Sequence, residues 1–155
     1  MHTPVSVTEK ALEAFRQAGA DCVVALGGGS TTGLAKAISY RTGAPQVIIP
    51  TTYAGSEVTP ILGQTENGVK TTLTDPKVLP DLVIYDPDLT TGLPVKMSVT
   101  SGLNAMAHAV EALYAKDRNP ISSLMAAEGL RAFHEALPKI VAEPADINAR
   151  SKALY

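Results

Sequence analysis

Two kinds of apolar pattern divide the chain. Up to about residue 95, short continuous apolar runs alternate with helical stretches; beyond it, apolar positions recur at helical spacing with little strand signal. Cys22 to Leu26 is rich in β-branched residues and predicts a strand buried on both faces. Gln46 to Ile49, ended by Pro50, predicts a second buried strand, and Leu82 to Tyr85, stopped by Asp86-Pro87-Asp88, a third. Helices fall between them. Ser6 to Glu9 fits a capping box with Ser6 as N-cap, Leu12, Phe15 and the alanines from Ala11 to Ala18 supply an apolar stripe, and Gly19 ends that helix. Leu34, Lys36, Ala37 and Ile38 continue to about Tyr40, where Thr42-Gly43-Ala44-Pro45 breaks the next. Helix–strand–helix–strand with short loops predicts an α/β domain with a parallel, doubly wound sheet. Ile61 to Thr74 reads as a hairpin turning at Asn67-Gly68.

From Ser98 to about Tyr114 and from Asn119 to Ile140 the chain is helical. Asn119-Pro120 is an N-cap followed by proline at the first helical position, and Pro138 is expected to mark the second helix's end. A domain boundary near residue 95 follows: residues 1–95 as part of an α/β domain, 96–155 as the beginning of an all-helical one. The helical part is too short to bury its own apolar faces, and no closing element is expected before Tyr155.

The 155 residues suffice for one domain with a core, and mean hydropathy of +0.10 excludes a disordered polymer. A net charge of −2 leaves no basic face for nucleic acid. The lone Cys22, read as part of the apolar strand, excludes disulfide scaffolding and cysteine-rich zinc sites within these residues and fits a reducing cytoplasm. No apolar run reaches membrane-spanning length, and the N-terminus has no signal-peptide pattern.

Candidate chemistry begins where the first strand meets its helix. Gly27, Gly28 and Gly29 turn the chain ahead of a helix N-terminus, whose free N–H groups and partial positive charge suit an anion such as a pyrophosphate. Gly27-x-Gly29-x-x-x-Gly33 is out of register with G-x-G-x-x-G, so a tight turn without a ligand stays open. Thr51 and Thr52 place hydroxyls at the C-terminal edge of the second strand, where open α/β sheets bind ligands; ordinary turn chemistry is the alternative. In the helical part, Leu103, Met106, Val110 and Leu113 share one stripe, and Asn104, His108 and Glu111 share another side. That polar row could line a cleft, with His108 as acid or donor, or it could be a solvated face. His2, at a terminus, and His134, beside Glu135, read as surface positions. One His and one Asn do not make a first shell for Zn²⁺ or Fe²⁺, so no metal site is expected from these residues.

Taken in order, Gly27-Gly-Gly-Ser30, Ile49-Pro-Thr51-Thr52 with Gly55-Ser56-Glu57, Leu79-Pro80 with Asp86-Pro-Asp-Leu-Thr90 and Leu93-Pro94, and Ser101-Gly-Leu-Asn104-Ala-Met-Ala-His108-Ala-Val-Glu111 resemble the iron-containing, group III alcohol dehydrogenase superfamily. Gly29 to Lys36, Thr51 to Pro60 and Gln64 to Lys70 look like its maleylacetate reductase branch. The resemblance covers nearly the whole chain. It implies a Rossmann-like dinucleotide domain followed by a helical domain with the active site between them, a cofactor of NADH or NADPH, and a cytoplasmic homodimer in the full-length parent. It places the pyrophosphate at Gly28, Gly29 and Ser30, the nicotinamide side at Thr51 and Thr52, Lys70 and Leu89 on the cofactor path, and His108 as the catalytic residue. Asn104 and His108 would meet a small dicarboxylate, maleylacetate, whose carbon–carbon double bond would be reduced to give 3-oxoadipate during aromatic-compound breakdown.

Two departures from the family pattern carry information. Metal-dependent members have aspartate where Asn104 stands, and an amide lacks the charge that helps hold a divalent cation. The maleylacetate reductase branch is similarly regarded as metal-free. The loop at Tyr53-Ala-Gly-Ser is also one residue shorter than the alcohol dehydrogenase pattern. Family members are more than twice as long, so this chain is expected to be a fragment: self-associating or poorly soluble by itself, and inactive or nearly so. In the family, the first strands normally carry the acidic residue that reads the ribose 2′-hydroxyl and sets the choice between NADH and NADPH. The rival readings are a metal-dependent alcohol dehydrogenase of the same fold and a non-catalytic nucleotide-binding module.

Overall fold

The computed structural model describes residues 3–155, so His2 lies outside the described residues. The chain forms two compact units, one of Met1–Pro50 with Gly55–Ile84 and one of Thr51–Ala54 with Tyr85–Tyr155.

The first unit holds two three-stranded sheets. In one, β2 (Val23–Gly27), β3 (Gln46–Pro50) and β6 (Leu82–Val83) run parallel in the order β2-β3-β6. In the other, β1 (Thr3–Pro4) runs parallel to β4 (Ile61–Glu66), which pairs antiparallel with β5 (Val69–Thr74). The predicted hairpin is present. Asn67 and Gly68 both take positive φ, 50° and 78°, as a tight two-residue turn matched to strand twist requires.

α1 (Val5–Gln17) begins one residue before the expected cap. Ser6 is not its N-cap: Thr3 and Pro4 pair with Gln64 and Thr65, so an extended Pro4 leads straight into the helix, and no side chain caps it. α2 (Gly29–Thr42) starts earlier than the Leu34 pattern suggests and ends on Gly43 in the left-handed conformation, φ 73°. Its inner face, Ala35, packs on Ala25 and Ile48 of the parallel sheet.

β2 is not buried on both faces. Within this chain Val24 and Leu26 are 62% and 56% exposed: among the described residues β2 lies at the end of its sheet, and α2 covers only the side bearing Ala25, leaving the other face open. Cys22 precedes the strand and is exposed rather than inside it. The third strand is shorter than expected and also forms an edge, leaving Leu82 and Ile84 exposed; Ile84 N–H adds one further bond to Ile48 O at 2.9 Å.

The second unit is helical: α3 (Val95–Tyr114), α4 (Pro120–Ala142) and α5 (Ile147–Leu154). Asn119 caps α4, accepting from Ile121 N and Ser122 N at 3.0 Å each, with Pro120 at the first position. α4 runs through Pro138 instead of ending there. Ala136, Leu137 and Ile140 are buried on either side of the proline, and that packing outweighs the single N–H it removes.

The stripe of Leu103, Val110 and Leu113 does not form the buried face of α3; all three are exposed. The helix buries Ser98 and Gly102 instead, and a Cβ on Gly102 would lie 2.8 Å from Leu137 Cδ2. Close approach of α3 to α4 selects small residues at the contact and leaves the larger ones outside. A closing element exists as well: α5, capped by Asp146 on Asn148 N and Ala149 N at 2.9 and 3.1 Å, buries Ala149 and Ala153 against Tyr53, Ala136 and Ile140. Such a cap is worth about 1 kcal/mol.

Candidate functional site

The N-terminus of α2 is built by the end of β2. Gly27 closes the strand at φ 155°, and a Cβ there would stand 2.5 Å from Thr31 Oγ1 and 3.0 Å from Thr31 Cβ. Only glycine lets the strand meet the helix so closely. Gly28 is the extended N-cap, without a side chain to satisfy the first N–H groups, and its carbonyl accepts from Thr31 N and Thr32 N at 3.0 and 3.1 Å. The first turn carries no acidic residue. Gly29 and Ser30 therefore present donors at the positive end of a helix with nothing anionic competing, a fit for a pyrophosphate. Gly33 belongs to packing instead: a Cβ there would meet Thr3 Oγ1 at 2.5 Å.

β3 ends beside β2, Pro50 opposite Gly27, and the chain continues into Thr51 and Thr52, both half-buried. Tyr53 is then fully enclosed by Ala136, Ile140, Ala149 and Ala153, with Phe133 edge-on at 5.8 Å. Arg150 Nη1 reaches its hydroxyl at 3.3 Å. Sequence reasoning gave Tyr53 no role and missed Arg150. Their pairing spans the chain from residue 53 to residue 150, so no local pattern announces it.

Sequence reading placed Lys36 on the helix after the glycine turn but gave it no role. It is completely buried, and its ammonium donates to Ser56 O at 2.5 Å, Thr59 O at 2.6 Å, Thr59 Oγ1 at 3.1 Å and Ile61 O at 3.0 Å. Burial pushes its pKa down to about 8, against the opposing pull of the Glu57 carboxylate. The lysine ties α2 to the short 3-10 turn Ser56–Val58 and to the start of β4.

The remaining predicted positions fall on other elements of the two units. Lys70 is exposed on β5, opposite Thr65, in the sheet that does not carry Gly28. Leu89, 40% exposed, lies in the 3-10 turn Pro87–Thr90 of the second unit. Asn104 and His108 are exposed on α3, and His108 Nδ1 lies 3.1 Å from Glu111 Oε2. An exposed pair of this kind contributes little stability. His134 is exposed on α4.

Among the described residues no three His, Cys, Asp or Glu side chains gather into a candidate site. Nor, among them, is any helix long and apolar enough to cross a membrane.

The family model for iron-containing alcohol dehydrogenases matches residues 1–87, and the model for the C-terminal part of the Fe-containing alcohol dehydrogenase family matches residues 98–155. The chain belongs to the iron-containing alcohol dehydrogenase family. It is 74% identical over all its 155 residues to a maleylacetate reductase from Rhizobium sp. (strain MTP-10005), of which it covers 44%. The crystal structure of maleylacetate reductase from Agrobacterium tumefaciens superposes with a TM-score of 0.98 at 72% identity, covering the whole of this chain and 44% of that one. Sulfoacetaldehyde reductase from Bifidobacterium kashiwanohense, solved in complex with NAD+, gives a TM-score of 0.91 at 30% identity over 97% of this chain and 46% of its own. The chain thus spans less than half the length of these dehydrogenase-family relatives. The mixed architecture, parallel strands followed by helices, is that of the family's Rossmann-like members.

Proposed function

We propose that this chain is the dinucleotide-binding part and the first helices of an NAD(P)H-dependent maleylacetate reductase. The observation that carries the reading is the 74% identity to a maleylacetate reductase along every residue of the chain. The open helix N-terminus at Gly28 supports it independently. Gly28, Gly29 and Ser30 hold the pyrophosphate at the start of α2, Thr51 and Thr52 lie on the nicotinamide side, and Lys70 and Leu89 border the cofactor path. Residues 1–95 form the dinucleotide part and 96–155 the start of the helical domain. The full-length parent is a cytoplasmic homodimer acting in aromatic-compound degradation.

When bound, the dihydronicotinamide supplies a hydride to the alkene carbon of maleylacetate remote from the ketone. Negative charge then develops on the ketone oxygen as an enolate, a proton reaches the adjacent carbon, and 3-oxoadipate results. His108 donates a hydrogen bond to the dianionic substrate and stabilises that charge, with Asn104 one helical turn away as an amide donor. Asn104 in place of the metal-holding aspartate supports turnover without a metal.

The test is nicotinamide absorbance with purified full-length parent and maleylacetate, in NADH and in NADPH, with and without a chelator. The expected result is maleylacetate-dependent oxidation that a chelator leaves intact and that His108→Ala lowers about a hundredfold, the scale of one acid–base or donor group. Turnover of simple alcohols but not maleylacetate, abolished by chelator, would overturn it in favour of a metal-dependent alcohol dehydrogenase.

A further inference from the structure

Stability alone is a poor reason for Arg150. It is completely buried on α5, and its guanidinium donates to four neutral oxygens: Nε to Pro144 O at 2.9 Å, Nη1 to Ser98 Oγ at 2.7 Å and Tyr53 OH at 3.3 Å, and Nη2 to Leu93 O at 3.1 Å. Removing an ion from water is costly, and a well-packed apolar side chain of similar volume commonly stabilises a fold at least as well. What a guanidinium adds is direction. Its planar fork fixes several acceptors at once in one geometry. Here it gathers four separate points of the chain, at residues 53, 93, 98 and 144, onto one helix.

Tyr53 is the point with chemical consequence. Its ring is held edge-on by Phe133 and enclosed by small residues, and its one polar atom meets Arg150. A side chain fixed at both ring and hydroxyl leaves its own backbone little freedom. The two preceding residues are Thr51 and Thr52, within about 8 Å of chain from Tyr53 Cα. We propose that Arg150 is a positioning residue, which through the Tyr53 hydroxyl and Ser98 sets the seat of Thr51 and Thr52 on the nicotinamide side of the cofactor. The proposal rests on the functional reading above. A specific side chain distant in sequence governs how the threonines meet the nucleotide.

The experiment compares Tyr53→Phe, Ser98→Ala and Arg150→Lys with wild type in the full-length parent. Tyr53→Phe keeps the ring packing and removes only the hydroxyl, so the thermal midpoint without nucleotide should stay near wild type. The kcat for maleylacetate should fall about tenfold and the Kd for NADH or NADPH rise several-fold, as a displacement of a fraction of an ångström would cause. Arg150→Lys keeps the charge but loses the fork, and should show the same kinetic loss. Should that variant fail to fold, Tyr53→Phe and Ser98→Ala decide the question. Variants that lower the midpoint while keeping wild-type kcat and Kd would reduce the cluster to a structural one and overturn the proposal, as would full kinetic recovery with lysine. A wild-type parent that binds neither nucleotide sinks the functional reading and this proposal together. A parent that binds, with Tyr53→Phe unchanged, sinks this proposal alone.

Discussion

Gly27→Ala tests the strand-to-helix turn on which the nucleotide site is built. Two separable costs arise. The backbone sits at φ 155°, a region glycine occupies freely and alanine does not, at about 1–3 kcal/mol. The new methyl would also lie 2.5 Å from Thr31 Oγ1 and 3.0 Å from Thr31 Cβ, an overlap worth about 1–3 kcal/mol more once neighbours shift. The expected total is about 4 kcal/mol, with nucleotide affinity falling because Gly28 and Gly29 move with the turn. Thr31 is exposed, so Thr31→Ala alone should change stability by less than about 0.5 kcal/mol. In the double variant it removes Oγ1 but leaves Cβ, so it should recover about 1–2 kcal/mol of the steric cost and none of the backbone cost. Denaturant unfolding of the four proteins in the full-length parent, each with an NAD(P)H titration, measures this cycle. Wild-type stability and affinity in Gly27→Ala, or strict additivity in the double variant, would refute the reasoning.

Ser30→Asp should uncouple fold from binding. A carboxylate in the first turn of α2 favours the helix by about 0.5 kcal/mol, yet it opposes a pyrophosphate and should weaken NAD(P)H at least about tenfold. Unchanged affinity would place the phosphates elsewhere. Lys36 gives a pH signature. Its folded pKa, about 8, lies below the usual 10.5, so between those values the unfolded chain binds more protons and stability rises with pH. The cost of burying the charged form is fully present below about pH 8 and gone above about pH 10.5. Relative to Lys36→Met, which cannot titrate, wild type should gain about 1 kcal/mol in denaturant unfolding between about pH 7 and about pH 9. A flat or falling difference would contradict the cause assigned.

What was legible in the sequence was local. Asn67-Gly68 specified its turn, Gly43 the end of α2, and Asn119-Pro120 the start of α4, because each acts on backbone within a few residues. The strand–glycine–helix turn was legible for the same reason. Features set by distant partners were not. Apolar Val24 and Leu26 looked like an interior strand, yet among the described residues β2 lies at the end of its sheet with a helix on one side. Leu103, Val110 and Leu113 looked like a packing stripe, although Gly102 makes the close contact. β1 has two residues and depends on β4. Arg150 and Tyr53 are ninety-seven positions apart, and Lys36 finds its acceptors twenty and more residues away.

The proposed chemistry is direct hydride transfer from a nicotinamide to maleylacetate. The decisive measurement is mass spectrometry of the product formed by the full-length parent from maleylacetate and NADH or NADPH carrying deuterium at both hydrogen positions of nicotinamide C4. The expected product is 3-oxoadipate carrying one carbon-bound deuterium per cofactor oxidised. Unlabelled 3-oxoadipate, or no product while the same preparation binds nucleotide and oxidises an alcohol, would contradict it.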